Sequence, residues 1–153
     1  MPHDTAATLR EQKLKATPQR LAILRCLAED AGYRSPEEVW QRLKGEFGRI
    51  GLPTVYRNLE ELAERGMICQ VHHPNRQLYY FSCVSSGHHH HFICLACRRV
   101  EEVTSCSLAP LEREIRSRSG ATVLSHIVQL NGLCRTCAPS LPEEGGADAP
   151  AYG

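Results

Sequence analysis

Leu52-Pro53-Thr54-Val55-Tyr56-Arg57-Asn58-Leu59-Glu60-Glu61-Leu62 runs on to Gly66, and there the period of the apolar residues changes. Val55, Leu59 and Leu62 fall at helical spacing, with Pro53 suited to a first turn and Gly66 to a stop. Beyond the glycine, residues 67–72 and 77–83 read as two strands joined by a short turn at Pro74-Asn75-Arg76, a hairpin. Upstream lie two more helical patterns. Thr17-Pro18 is an N-cap followed by a first-turn proline, and it opens a face of Leu21, Leu24 and Ala28, with Ile23 and Leu27 beside them, ending near Gly32. Ser35-Pro36-Glu37-Glu38 repeats the signal with acids in the first turn, and Val39, Trp40, Leu43 and Phe47 form the buried side. Three helices followed by a hairpin is the order of a winged helix-turn-helix domain, whose third helix is the natural reader of a major groove.

The second half is organised differently. Strands are expected near 91–95 and over 99–103, a helix over 108–119 and a strand over 122–130. Two cysteine pairs, Cys94-x-x-Cys97 and Cys134-x-x-Cys137, bracket this small α/β unit, and a histidine run, His88 to His91, precedes the first pair. Four thiolates in two such knuckles suit a tetrahedral zinc ion, and the interval Arg98–Leu133 suits a folded insert clipped at both ends. A pair of disulfides, or one redox-active pair, is the competing reading. The apolar content between the knuckles is thin, so metal binding would supply folding free energy directly. The fold class is therefore α+β: a winged-helix domain over 1–83, a hinge at 84–87, a zinc-clipped α/β domain over 88–137, and a disordered tail over 138–153.

Composition narrows the setting. The chain has 153 residues, eight cysteines and a formal net charge of +1. No apolar run approaches transmembrane length and no signal segment follows Met1, so a cytoplasmic location is expected, with no membrane partner. Reduced thiols in that compartment favour metal over disulfides. Overall charge announces no nucleic acid, but its distribution is uneven: Arg10, Lys13, Lys15, Arg20 and Arg25 stand against Glu11, and Arg42, Lys44, Arg49 and Arg57 against Glu46. No serine–histidine–acid arrangement or phosphate-cradling glycine loop is evident, so neither an enzyme nor a small-molecule substrate is expected. A thiol–disulfide protein would need one pair at a helix start, and neither pair precedes a good helix.

Taken in order, Thr17-Pro18-Gln19-Arg20, Pro53-Thr54-Val55-Tyr56-Arg57-Asn58-Leu59, His88 to Cys97, His126 and Cys134-x-x-Cys137 resemble the ferric uptake regulator (Fur) family of bacterial metal-responsive repressors. The resemblance spans roughly Leu9 to Cys137 and is nearest to the zinc uptake regulator branch. It implies a homodimer on double-stranded operator DNA, with metal occupancy controlling affinity. It also implies DNA contacts from Tyr56 and Arg57, with Thr54 beside them and Lys15 and Arg20 on groove and backbone.

Residues on a strand alternate sides, so His89 and His91 face one way and His88 and His90 the other. By resemblance, Cys69 and Cys83 join His89 and His91 in a regulatory zinc set at the hinge, with Glu102 as a replacement or additional ligand. Iron-, manganese- and peroxide-sensing members commonly place a histidine where this chain has Tyr33. A third set would draw on His88, His90 and His126. Its usual glutamate falls at Ala109, leaving Cys106 or Glu112 to fill in, or the set weak. Arg98 stands where the family has glycine after the first knuckle, which predicts a distorted turn; Cys26 reads as core. The leading expectation is a zinc-dependent repressor of metal-uptake genes, with zinc in both the structural and regulatory sites. An iron, peroxide, manganese or nickel regulator of the same family is the runner-up.

Overall fold

The computed structural model describes residues 5–83 and 87–138. Most of the expected hinge and all but the first residue of the expected tail lie outside them. Four helices open the chain: α1 (Thr5–Glu11), α2 (Pro18–Ala28), α3 (Pro36–Phe47) and α4 (Leu52–Glu64). The first is not announced by the apolar pattern, and Leu9 is its one buried residue. The next two starts behave as their side chains require. Thr17 accepts the Arg20 N–H at 3.3 Å. Ser35 and Glu38 form a reciprocal capping box, each side chain bonding the other's backbone N–H at 3.2 and 2.8 Å. Gly51 caps α4 without a side-chain bond. Gly66, at φ +68°, follows the C-terminal end of α4.

Ile23, Leu27, Val39, Val55, Leu59, Leu62 and Tyr80 meet in a core that also takes Leu9 and Ile68. The hairpin β1 (Cys69–His72) and β2 (Leu78–Phe81) pairs antiparallel, with Cys69 opposite Phe81 and His72 opposite Leu78. Arg34 exchanges both backbone hydrogen bonds with Tyr80 at 2.9 and 2.8 Å, which fastens the wing to the helices. The second sheet has the order β4-β3-β5, from β3 (His90–Cys94), β4 (Val100–Val103) and β5 (Gln129–Gly132). β3 is antiparallel to β4 and parallel to β5, a reversal that the intervening α5 (Ala109–Ser119) makes possible.

The strand anticipated over 122–130 forms only as β5, from 129 onward. Residues 122–128 have no ladder partner among the described residues, and Leu124 and Ile127 stand 93% and 83% exposed. No residue of α5 is buried. The C-terminal core is thin indeed.

A second apolar cluster sits between the halves: Tyr33, Val71, Tyr79 and Phe81 from the first, Ile93 from the second, with Cys69, Cys83 and Val100 packed against it. Backbone bonds reinforce this seam. The Tyr33 N–H reaches the Arg98 carbonyl at 3.3 Å, and the Val100 N–H reaches the Ala31 carbonyl at 3.0 Å. The Gln129 amide accepts the His72 N–H at 2.9 Å and donates to its carbonyl at 2.8 Å. No described helix is long and apolar enough to cross a membrane.

Candidate metal centres and nucleic-acid interface

Cys94 ends β3, Cys97 follows in the turn, and Cys134 and Cys137 come from the segment after β5. All four sulfurs lie within 4.8 Å of one another. The Cys97 and Cys134 sulfurs are 3.6 Å apart, far beyond a disulfide bond, and all eight cysteines are free. Burial opposes ionisation of Cys94. Backbone N–H groups of Cys134, Cys97 and Ala96 outweigh it and bring that thiol down to about 6. The Cys134 thiol is lowered as well, chiefly by the Cys137 N–H. Cys137 is pushed up to about 12 by its hydrogen bonds with Cys134 and Cys97. Cys94 and Cys134 therefore ionise readily, and a divalent ion would displace the proton that Cys137 keeps. Arg98 keeps the knuckle turn by adopting φ +66°, so the missing glycine costs left-handed backbone strain, about 1 kcal/mol, and the chain still turns there.

The alternation along β3 divides the histidines. On one side, the Cys83 sulfur is 2.9 Å from His89 Nε2 and 3.5 Å from His91 Nε2. Cys69, Cys83 and His91 lie mutually within 4.8 Å, and His89 reaches this trio through Cys83, its ring edge-on to His91 at 4.7 Å. The His89 Nδ1 faces the Gly87 carbonyl at 2.6 Å. A donor there leaves Nε2 as the free lone pair, the arrangement of a metal-ligating imidazole. Burial and the neighbouring Cys83 raise the Cys69 thiol to about 12. Burial lowers the His91 pKa, with His89 adding to the shift and Glu102 opposing it. Glu102 stands opposite His91 in the ladder and lines a cavity of about 160 Å³ with Cys83 and His91, outside the close trio.

On the other side, His88, His90, His126 and Cys106 converge within 4.8 Å. His126 Nε2 is 3.0 Å from His88 Nε2 and 3.4 Å from the Cys106 sulfur. Glu112 stands behind, 3.6 Å from His126 Nδ1. Cys106 thus joins this cluster, and Glu112 lies beside His126. The Nε2 of His90 is buried with no hydrogen-bond partner among the described residues. A buried imidazole nitrogen aimed at three other soft donors fits a bound cation.

The candidate DNA face is α4. Its inner side is Val55, Asn58, Leu59 and Leu62, while Arg57 is exposed and Thr54 and Tyr56 are half-buried. Tyr56 donates its hydroxyl to Glu37 Oε1 at 2.6 Å, which pushes the phenol up to about 12 and holds the Glu37 carboxyl below its usual range. Lys15 is exposed. Arg20 turns inward: its Nε donates to Asn58 Oδ1 at 3.0 Å, Nη1 to the Lys15 carbonyl at 3.1 Å, and Nη2 pairs with Glu61. It struts α4 from within the domain, and touching a duplex would require it to leave these partners. Asn58 and Glu37 do not emerge from the sequence reading. An amide breaking an apolar helical face, as Asn58 does, is the signal that points to such a strut.

Residues 11–131 match the ferric uptake regulator family. The ferric uptake regulation protein of Klebsiella pneumoniae is 36% identical over 132 residues, 86% of this chain and 84% of that protein. The crystal structure of the Vibrio cholerae ferric uptake regulator superposes with a TM-score of 0.60 at 28% identity, covering 86% of this chain and all of that one. A zinc uptake regulator complexed with zinc and DNA shares the fold at a TM-score of 0.70 and 24% identity, covering 86% and 89% of the two chains.

Proposed function

The chain belongs to the ferric uptake regulator family, and from that premise we propose that this metal-responsive transcriptional regulator is a zinc-dependent repressor of metal-uptake genes. Regulators of this family bind operator DNA as dimers. The observation that carries the zinc reading is the hinge set. Cys69 and Cys83 flank the wing, His89 and His91 lie on and beside β3, and the two thiols and two imidazoles gather around Cys83. Two thiolates with two imidazoles are the donors of a tetrahedral zinc site, softer than the oxygen-rich sets that suit iron or manganese. The position that could have supplied a further histidine is Tyr33, 2% exposed and edge-on to Tyr79 at 5.0 Å, which offers no imidazole.

A bound zinc ion would supply bonds shared by both halves of the chain. The residues do the rest. With their donors joined, the wing and β3 hold one orientation, and two α4 helices in a dimer keep one separation, as two half-sites demand. Cys94, Cys97, Cys134 and Cys137 serve as the structural zinc clip, and His88, His90, Cys106 and His126 as a third set. Tyr56, Arg57, Thr54 and Lys15 face the duplex and Arg20 braces them. The eight free thiols suit a reducing cytoplasm.

The ferric name of the Klebsiella pneumoniae relative makes iron the rival reading. Competitive loading of the purified dimer with zinc, iron, manganese and nickel decides between them, read by metal content and by metal-dependent capture of genomic DNA fragments. Zinc should win at the hinge, and Cys83→Ser and His89→Ala should keep the structural zinc and the dimer while flattening the zinc response. Coupling of this kind is about 1–3 kcal/mol. Iron-dependent capture with zinc inert would overturn the reading.

A further inference from the structure

Arg98 belongs to the second half of the chain by sequence and to the first by its contacts. Its Nη1 donates to Glu38 Oε1 at 2.6 Å, and its guanidinium lies 5.8 Å from the Tyr33 ring centre and 5.7 Å from that of Tyr79. Its carbonyl receives the Tyr33 N–H at 3.3 Å, and its own N–H bonds the Cys94 carbonyl at 3.0 Å. The approach is close: a Cβ on Gly32 would stand 3.3 Å from the Arg98 carbonyl oxygen. One residue therefore links the first zinc knuckle to the capping box of α3, at the cost of a left-handed backbone. A planar cation held by a carboxylate and two aromatic rings is a contact that lysine would reproduce only in part.

The seam that Arg98 closes is the same one on which the hinge donors meet. Tyr33 and Tyr79 pack in one cluster with Phe81 and Ile93, and Cys69 and Cys83 pack against that cluster. In this closed arrangement Cys69, Cys83 and His91 already lie within 4.8 Å of one another.

We infer that Arg98 is a positioning residue for the regulatory metal set: through Glu38, Tyr33 and Tyr79 it pre-closes the seam and so sets the zinc concentration at which the hinge fills. The inference rests on the hinge-sensor reading given above. A metal that binds only the closed arrangement has an apparent affinity scaled by the fraction of molecules closed. A half-exposed ion pair and two cation–ring contacts shift that fraction modestly, so their loss should weaken apparent zinc affinity about three- to tenfold.

Two variants separate positioning from folding. Glu38→Gln keeps the capping box, because glutamine serves at that position as glutamate does, and removes the charge. Arg98→Gly suits φ +66° and removes the latch while relieving the knuckle. Both should retain the Cys94–Cys137 zinc and the dimer. Both should fill the hinge at about three- to tenfold higher free zinc in chelator competition, and Arg98→Lys should recover part of the loss. In protein carrying only its structural zinc, amide exchange at Tyr33 and Val100, whose N–H groups meet backbone carbonyls across the seam, should quicken in both variants. An unchanged zinc midpoint in both variants overturns the inference. If the parent protein takes no zinc at the hinge, the sensor reading fails by itself. Amide exchange then decides, and unchanged rates at Tyr33 and Val100 dispose of the latch as well.

Discussion

Single side chains carry the chemical roles, and their legibility follows how local those roles are. Thr17 and Ser35 cap helices through atoms three residues away, so sequence spacing finds them. The sorting of His88 to His91 into two sides follows from strand alternation alone. Cys106 and Arg98 act on partners brought in by tertiary folding, and no spacing rule reveals those. For Cys106, replacement by alanine should cost one zinc ion per protomer with the dimer intact. Cys106→Asp should move that set toward manganese or iron, since a carboxylate is the harder ligand. Metal analysis of the dialysed variants checks both, and an alanine variant with full zinc content removes Cys106 from the set. Tyr56 gives a pH-resolved case. Its hydrogen bond to Glu37 raises the phenol to about 12, so the bond's contribution is complete below the ordinary tyrosine range and disappears as pH rises through about 12. Ultraviolet titration should lose one late-ionising phenol in Tyr56→Phe. Arg57→Ala should weaken DNA binding about ten- to a hundredfold with zinc content unchanged, as expected of one base contact. Equal affinity in that variant would assign groove reading to another residue.

Elements were legible where caps and a buried face agree. α2, α3 and α4 satisfy both conditions, and their boundaries lie close to the proline and glycine signals. α1 has a single buried residue and no apolar stripe, so its existence depends on Leu9 meeting a core built by later helices. The segment 122–128 shows the converse: an apolar, strand-like pattern without ladder bonds among the described residues. Leu124 and Ile127 lie three residues apart on this unpaired, exposed segment, and it is expected to be covered in the dimer. Each fully buried side chain of this size is worth about 1.5–3 kcal/mol. Leu124→Glu and Ile127→Glu should therefore each shift sedimentation toward the monomer while the Cys94–Cys137 set keeps its zinc. A dimer of unchanged strength in both variants would place the interface on another surface.

At the scale of the molecule, the two halves differ in what holds them together. The helical half has a core of its own from Leu9 to Tyr80, whereas the described residues of the second half bury little beyond His90, Ile93, Cys94 and Cys134. That imbalance was readable from the thin apolar content between the knuckles. The shared cluster at the seam was not, because Tyr33 and Ile93 are distant in sequence and only the folded chain joins them. The consequence is an unequal response to losing the clip. With one thiolate gone, the remaining three leave β3 and the 134–137 turn joined chiefly by the short parallel ladder and the Leu95 N–H to Gly132 carbonyl bond at 2.8 Å. Structural zinc supplies folding free energy on the order of 10 kcal/mol in small domains, more than so small a core replaces. Cys94→Ser or Cys134→Ser should thus release one tightly held zinc, dissolve the dimer and unfold the second half. The helices α2 to α4 should persist as a separate cooperative unit, visible as retained helical circular dichroism with a melting transition of its own. A serine variant that keeps its zinc and its dimer would show that the clip is dispensable. Loss of all helical signal would show instead that the seam makes the two halves one folding unit.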